Sequence, residues 1–426
     1  MKQHLKYILF LLVFIGTLKQ SIAESNMASA VNMSSPPTGN GTVVNTLGTS
    51  DYPESIVSDV NGNIYFLNRD NSSGNNIYTI KKLDIYGTIS TIYTLTSTSI
   101  NNDFYVNNLK KDNIGNFYYI AEEYNNNNWT YSINKINANG SISSLVTKNV
   151  YFYDFNIDNA GNLFYIIYEN SNYYINKIDV NGNSSNILTS SGNSQYYNNL
   201  KIDLQGNIYF RKTEYSSNSS TNSIVKINNS GNNMVSLITL TGGTNFSRNI
   251  NQYEITSSGE IKFTQQNYYS YNSQSSQSVQ VKKIDSYGII NVLYNDSVSN
   301  NNYIYIQNTC KDNADNFYFI KSIYNYSTSI QEYTFYQLDN QGNLNIISNN
   351  NYNTWIASLI SDNIGNIYYN LPYLHQIIKL PVGNSIIIYK WGLSRNGLKT
   401  QDNTIQLDIN GKKGTSSPVN ENGKVN

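Results

Sequence analysis

Asp59-Val-Asn-Gly62-Asn-Ile-Tyr-Phe66 is a phrase that the chain repeats along most of its length. It returns as Asp112-Asn-Ile-Gly115-Asn-Phe-Tyr-Tyr119, as Asp158-Asn-Ala-Gly161-Asn-Leu-Phe-Tyr165 and as Asp203-Leu-Gln-Gly206-Asn-Ile-Tyr-Phe210. A degraded copy, Thr256-Ser-Ser-Gly259-Glu-Ile-Lys-Phe263, is followed by Asp312-Asn-Ala-Asp315-Asn-Phe-Tyr-Phe319 and Asp362-Asn-Ile-Gly365-Asn-Ile-Tyr-Tyr369. Consecutive copies lie 45 to 56 residues apart. Periods of this size belong to solenoids, arrays and propellers, because one supersecondary unit cannot bury its apolar face alone and must stack on its neighbours.

A second phrase follows each copy. Ile80-Lys-Lys-Leu-Asp84-Ile-Tyr-Gly87 recurs as Ile133-Asn-Lys-Ile-Asn137-Ala-Asn-Gly140, Ile175-Asn-Lys-Ile-Asp179-Val-Asn-Gly182 and Ile224-Val-Lys-Ile-Asn228-Asn-Ser-Gly231. It returns as Val281-Lys-Lys-Ile-Asp285-Ser-Tyr-Gly288, as Phe335-Tyr-Gln-Leu-Asp339-Asn-Gln-Gly342 and in worn form as Ile377-Ile-Lys-Leu-Pro381-Val-Gly383. Asp accepts hydrogen bonds from amides just ahead of it, and Gly takes the left-handed position that ends a tight turn. Each repeat therefore predicts four short strands, A to D, with one Asp turn between A and B and another between C and D. The flanking segments are rich in β-branched and aromatic residues, and residues 41–390 carry no capped helical period. The expected fold is all-β: a propeller of about seven four-stranded antiparallel blades, with six or eight as alternatives.

Tyr52-Pro-Glu-Ser-Ile-Val-Ser-Asp59-Val-Asn-Gly-Asn-Ile-Tyr-Phe66, followed by Ile80-Lys-Lys-Leu-Asp84-Ile-Tyr-Gly87, resembles the NHL-type propeller repeat. The resemblance covers most of residues 50–390 and implies the blade architecture. Repeats of that type carry an Asp shortly after the strand B Tyr. Here the matching positions are Asn68, Ala121, Ile167, Lys212, Gln265, Lys321 and Leu371, a departure that weakens the carry-over of a ligand site. Some relatives of that type resemble lyases or metal-dependent hydrolases.

Ring closure has two readings. Gly41-Thr-Val-Val-Asn-Thr-Leu47 looks like a strand D without a blade, suited to completing the last sheet as a clasp. Ser385-Ile-Ile-Ile-Tyr389 looks like the last repeat's own strand D, and Thr404-Ile-Gln-Leu-Asp408-Ile-Asn-Gly411 echoes the second phrase once more. The first reading gives seven blades, the second a partial eighth.

The N-terminus reads as an export signal, 1–23: a basic start through Lys6, an apolar run from Tyr7 to Leu18, and Ser21-Ile-Ala23 for cleavage. Residues 24–40 read as a flexible linker, 41–411 as the propeller and 412–426 as a polar tail. The protein is expected to be secreted or periplasmic, without stable membrane insertion. Cys310 is the only cysteine, so the core alone must hold the domain, and Cys310 itself reads as a small buried residue.

The formal charge is zero and only 13% of residues are charged, which excludes an electrostatic case for nucleic acid. Solubility comes from amides and hydroxyls instead, with 74 Asn beside 39 Tyr. An AT-rich coding bias produces the same excess. Sequons such as Asn128-Trp-Thr130 matter only in a glycosylating host.

Strand alternation puts the A–B and C–D turns on one face of the disc and the B–C and D–A loops on the other. The first face is uniform. The second carries loops expected to be long, among them 122–129, 214–222, 265–278 and 244–253. Function gathers on variable loops held by a rigid scaffold. The candidate binding residues there are Trp129, Tyr151, Tyr153, Tyr196, Tyr197, Tyr303 and Trp355, aromatic faces among adaptable amides, a mix that suits a protein or a glycan.

Catalytic sets are missing. Of two histidines, His4 leaves with the signal and His375 stands alone in the last B–C loop, short of the three or four ligands a metal needs. Glu122 and Glu123 are adjacent on a strand and point oppositely. The Asp turns lack the further ligands of a calcium loop. The chain thus reads as a non-enzymatic binding module without metal or cofactor; the alternative is a divergent lyase or hydrolase at the central channel, using Glu122 or Glu214.

Overall fold

The computed structural model describes residues 42–46, 52–70, 77–96, 103–362 (apart from 193, 230, 232, 272–273, 300–301 and 352–354), 365–380, 386–388 and 405–407. The predicted export signal, linker and polar tail lie outside these residues.

Seven four-stranded antiparallel sheets follow one another along the chain. Blade 1 comprises Tyr52–Ser58, Ile64–Asp70, Ile77–Leu83 and Ile89–Leu95, in order A to D. Blade 2 comprises Phe104–Lys111, Phe117–Asn125, Asn128–Ile136 and Ile142–Lys148; blade 3 Phe152–Ile157, Leu163–Glu169, Asn172–Ile178 and Ser184–Ser191. Blade 4 comprises Gln195–Ile202, Ile208–Tyr215, Ser220–Ile227 and Met234–Gly242; blade 5 Phe246–Ile255, Ile261–Tyr271, Gln274–Ile284 and Ile290–Ser299. Blade 6 comprises Asn302–Lys311, Phe317–Asn325, Ile330–Leu338 and Leu344–Asn351. Blade 7 has Leu359–Ser361, Ile367–Leu371 and Gln376–Leu380 as A to C, and its strand D is Thr42–Thr46 from the start of the propeller. The clasp reading holds. Ile386–Ile388, the rival strand D, pairs with Ile405–Leu407 instead, so the described strands form no eighth blade. A single short 3-10 turn, Pro372–Leu374, is the only helix among the described residues, and no helix there is long and apolar enough to cross a membrane.

Strand B sits in the middle of each sheet and is buried on both sides, as the run Leu163–Ile167 shows. Its side chains fill seven apolar clusters, each shared by two consecutive blades. The cluster of Ile56, Ile64, Phe66 and Leu83 with Tyr368 and Ile377 joins blade 1 to blade 7 and closes the ring. Ser58 Oγ donates to the Ser361 carbonyl at 2.9 Å across the same seam, and Asn370 Nδ2 donates to the Pro53 carbonyl at 2.8 Å.

The repeated phrase is a turn clamp. Asp203 Oδ1 accepts the amides of Gln205 and Asn207 at 3.0 and 2.8 Å, and Oδ2 accepts Asn207 Nδ2 at 2.7 Å and the Tyr209 hydroxyl at 3.0 Å. Asp59, Asp112 and Asp312 hold the same four donors. The Asn also reaches outward: Asn116 Oδ1 accepts the Ala138 amide at 3.0 Å, tying the A–B turn to the C–D turn of its blade. Gly206, at φ +80°, supplies the left-handed residue. These carboxylates are thus occupied by the donors of their own turns.

Blade 5 lacks the clamp, having Thr256 for Asp and Lys262 for Tyr. Its turn is held by its neighbour. Asp315 of blade 6 accepts the Ser257 amide at 3.0 Å and the Ser257 hydroxyl, and the Asp315 carbonyl accepts Lys262 Nζ at 2.9 Å. The two departures from the repeat therefore compensate each other in space.

Candidate functional site

Strand A of each blade lines the centre, and neighbouring A strands are joined by polar contacts. Asn199 Nδ2 donates to Gln252 Oε1 at 3.3 Å, Lys201 pairs with Glu254 at 2.8 Å, and Thr309 Oγ1 donates to Glu254 at 3.3 Å. Asp154 takes the amides of Leu200 and Phe155 at 2.8 Å each, and Lys110 approaches it at 3.8 Å. Desolvation pushes the Lys110 ammonium pKa down, and the Asp154 charge opposes that shift. Burial pushes the thiol of Cys310 well up, so it sits as an inert core residue. These charges and amides thus tie neighbouring A strands together. Among the described residues no group of three or more His, Cys, Asp or Glu converges as a metal would require.

A regular pattern appears where strand A begins on the B–C/D–A face. Seven residues before the turn residue, six blades carry an aromatic ring: Tyr52, Tyr105, Tyr151, Tyr196, Tyr305 and Trp355, with Asn249 in blade 5. All six are half-buried or exposed, Tyr151 at 44% and Trp355 at 53%. On blades 2 to 4 these rings join others in one array. Trp129 lies 6.0 Å from Tyr105, 5.2 Å from Tyr124 and 6.2 Å from Tyr131, nearly parallel to the last at 23°. Tyr131 meets Tyr151 edge-on at 5.6 Å, Tyr151 meets Tyr153 at 5.7 Å, and Tyr153 meets Tyr196 at 5.4 Å. Such edge-to-face pairs fix ring orientation as well as position.

Of the residues named from the sequence, Trp129, Tyr151, Tyr153 and Tyr196 come together in this array. Tyr197 lies beneath it, 1% exposed and stacked on Tyr173 at 4.8 Å, with its hydroxyl donating to Gln195 Oε1 at 2.9 Å; it packs the core rather than facing outward. Successive residues of a strand point to opposite sides, so Tyr196 and Tyr197 divide between surface and interior. Tyr303 stands apart on blade 6, 5.0 Å from Tyr326. Trp355 stands on blade 7. The sequence reading missed Tyr105, Tyr124 and Tyr131, although the spacing from the turn Asp marks Tyr105 as the counterpart of Tyr151 and Tyr196.

Several loops expected to be long are strands instead. Residues 122–129 fold as a hairpin around Asn126 and Asn127, both left-handed at φ 48° and 64°, which is the geometry of a type I′ turn. In blade 5, strands B and C run to Tyr271 and from Gln274, so 265–278 is almost wholly ladder. Polar Asn, Ser and Gln side chains do not prevent pairing where the backbone partners are in place.

Glu122 lies inside the array. Its Oε1 accepts Asn107 Nδ2 at 2.6 Å. Desolvation raises the pKa of its carboxyl, and the Asn107 bond works against this. The hydroxyls of Tyr131 and Tyr151 are also raised, first by burial and then by the Glu122 charge. The other carboxylate considered for catalysis, Glu214, is paired with Lys212 at 2.8 Å. On blades 1 and 7, His375 rests with its ring 6.3 Å from Tyr52, which also meets Tyr373 at 5.4 Å.

No protein-family model matches the chain. No curated protein matches it either. Among solved structures it is similar to a streptogramin B lyase, 14% identical, with a TM-score of 0.45 over 79% of this chain and 96% of that one. It is similar to virginiamycin B lyase from Staphylococcus aureus, 13% identical, with a TM-score of 0.48 over 79% of this chain and 98% of that one. It is also similar to Drosophila Plexin A in complex with Semaphorin 1b, 10% identical, with a TM-score of 0.44 over 81% and 88%. The likeness to NHL-type repeats accordingly rests on the repeat phrases alone.

Proposed function

We propose that this protein is an exported, non-enzymatic propeller that holds a protein or glycan ligand on its B–C/D–A face. The observation that carries the reading is the continuous, partly exposed array of Tyr105, Trp129, Tyr131, Tyr151, Tyr153 and Tyr196 over three consecutive blades. Contiguous apolar surface left to solvent marks an interaction site, and rigid aromatic rings contribute contact area at low entropic cost. Flanking amides such as Asn107 supply directional bonds.

Changing Trp129, Tyr151 and Tyr196 together to Ala removes three of the rings while leaving the turn clamps intact. Immobilised wild-type and triple-variant protein would be compared on a glycan panel and on envelope extract from the producing organism. The reading expects a ligand retained by the wild type and lost at least tenfold by the variant. A ligand retained equally by both would move the site off this face. The lyase or hydrolase reading would require turnover that is lost in Glu122→Gln.

A further inference from the structure

Six blades pass from strand C to strand D through a turn closed in one way. The amide of the first turn residue donates to a carbonyl at the turn's far end. Asp84 donates to Thr88, Asp179 to Asn183, Asp285 to Ile289 and Asp339 to Asn343, each at 3.0 Å; Asn137 donates to Ser141 at 2.9 Å and Asn228 to Asn233 at 3.2 Å. Blade 7 breaks the rule. Its strand C ends at Leu380, and the next residue is Pro381, which has neither an amide hydrogen nor a side-chain acceptor.

The strand that this turn would deliver is nevertheless present. Ile386 follows Leu380 at the interval that separates Leu83 from Ile89, Ile136 from Ile142, Ile284 from Ile290 and Leu338 from Leu344. Ser385-Ile-Ile-Ile-Tyr389 has the β-branched run of a strand. In the structure Ile386–Ile388 pairs with Ile405–Leu407, and the outer edge of blade 7 is taken by Thr42–Thr46, with Thr42 opposite Lys379. One sheet edge therefore has two eligible strands within one chain.

We infer that the outer edge of blade 7 is a strand-acceptor site, that the proline following Leu380 in the sequence assigns it to the N-terminal strand, and that Ile386–Ile388 is its second occupant. A sheet edge offers unpaired amides and carbonyls to any extended segment of matching pattern. The C-terminal strand has the entropic advantage, since joining adjacent strands closes a short loop whereas the clasp closes the whole ring. A proline cannot donate the bond that closes this turn in the other blades, which offsets that advantage. Exchange of the two strands would release Thr42–Thr46 from the sheet without opening the propeller.

The test uses the full chain. In other blades the residue equivalent to Lys379 lies opposite the second residue of strand D, as Lys82 does Ser90 and Lys135 does Ser143, so Lys379 would face Ile387 in the exchanged form. Cysteines placed at 42 and 379 report the clasp, and cysteines at 387 and 379 report the exchange, by disulfide yield under mild oxidation. Cys310 is buried and does not compete. The wild-type background is expected to favour the 42–379 bond. Pro381→Asp, which restores the amide and carboxylate, is expected to shift the ratio at least tenfold toward 387–379. Asn45→Pro weakens the clasp without touching the turn and is expected to shift it the same way. Absence of the 387–379 bond in both variants would overturn the inference, as would unfolding of Asn45→Pro, because the C-terminal strand would then have failed to replace the clasp.

Discussion

Single side chains in this protein work mainly on the backbone beside them. Asp203 accepts four donors, one of them the hydroxyl of the fully buried Tyr209. Asp203→Ala leaves that hydroxyl and two turn amides without the carboxylate, and is expected to cost about 2–4 kcal/mol in urea unfolding. Asp179→Ala, at an exposed turn with no Tyr partner, is expected to cost less. The same bonds govern acid stability. For Asp59, desolvation acts upward but is outweighed by bonds from Asn63, Tyr65 and Asn61, so its pKa lies below the ordinary value. Its stabilisation is present above the unfolded-state value and is lost as pH falls through the folded one. Glu122 has the opposite sign. Its folded pKa is raised, so its contribution falls as pH rises from the ordinary carboxylate value through the folded value. Glu122→Gln is therefore expected to raise the melting temperature at pH 7 and to have no effect at a pH below the ordinary carboxylate value. Equal effects at both pH values would assign the change to packing rather than charge.

Among the elements, the hairpins of the B–C/D–A face differ most from what the sequence suggests. Asn126 and Asn127 hold a type I′ turn that projects Tyr124 and Trp129 side by side at 5.2 Å. Asn tolerates the left-handed region, but Gly does so without steric cost. Asn127→Gly is expected to stabilise the domain by about 0.5–1 kcal/mol and to leave ligand retention unchanged, measured by denaturation and by the capture assay. The turn phrases were readable because each is local: Asp, Gly, Asn and Tyr all act within seven residues. The aromatic array was only partly readable. Tyr196 and Tyr197 are indistinguishable by composition, and only the pairing of their strand with Ile208–Tyr215 shows which one faces out. Trp129 and Tyr105 are 24 residues apart in the chain, and meet because strands A and C flank the same strand B.

For the whole molecule, the seam between blades 7 and 1 carries the closure. Asn370 is fully buried there, with Nδ2 on the Pro53 carbonyl at 2.8 Å and Oδ1 on the Ser358 amide at 2.8 Å. Asn370→Ala removes the side-chain partner of both groups at a fully buried position, and is expected to cost about 2–4 kcal/mol. Ser58→Ala, at the partly exposed end of the same seam, is expected to cost about 1 kcal/mol or less. Equal small losses for both would mean that the apolar cluster of Ile56, Phe66 and Tyr368 holds the seam unaided. By itself the sequence determined the four-stranded unit and its turn chemistry, because these are set by propensity and by bonds between near neighbours, while the count of blades waited on how the ring closes. Only the tertiary structure decided which strand closes the ring, how Asp315 repairs the worn blade 5, and which tyrosines share a surface. Those outcomes depend on contacts between residues tens to hundreds of positions apart, where several local sequences fit one place and geometry chooses among them.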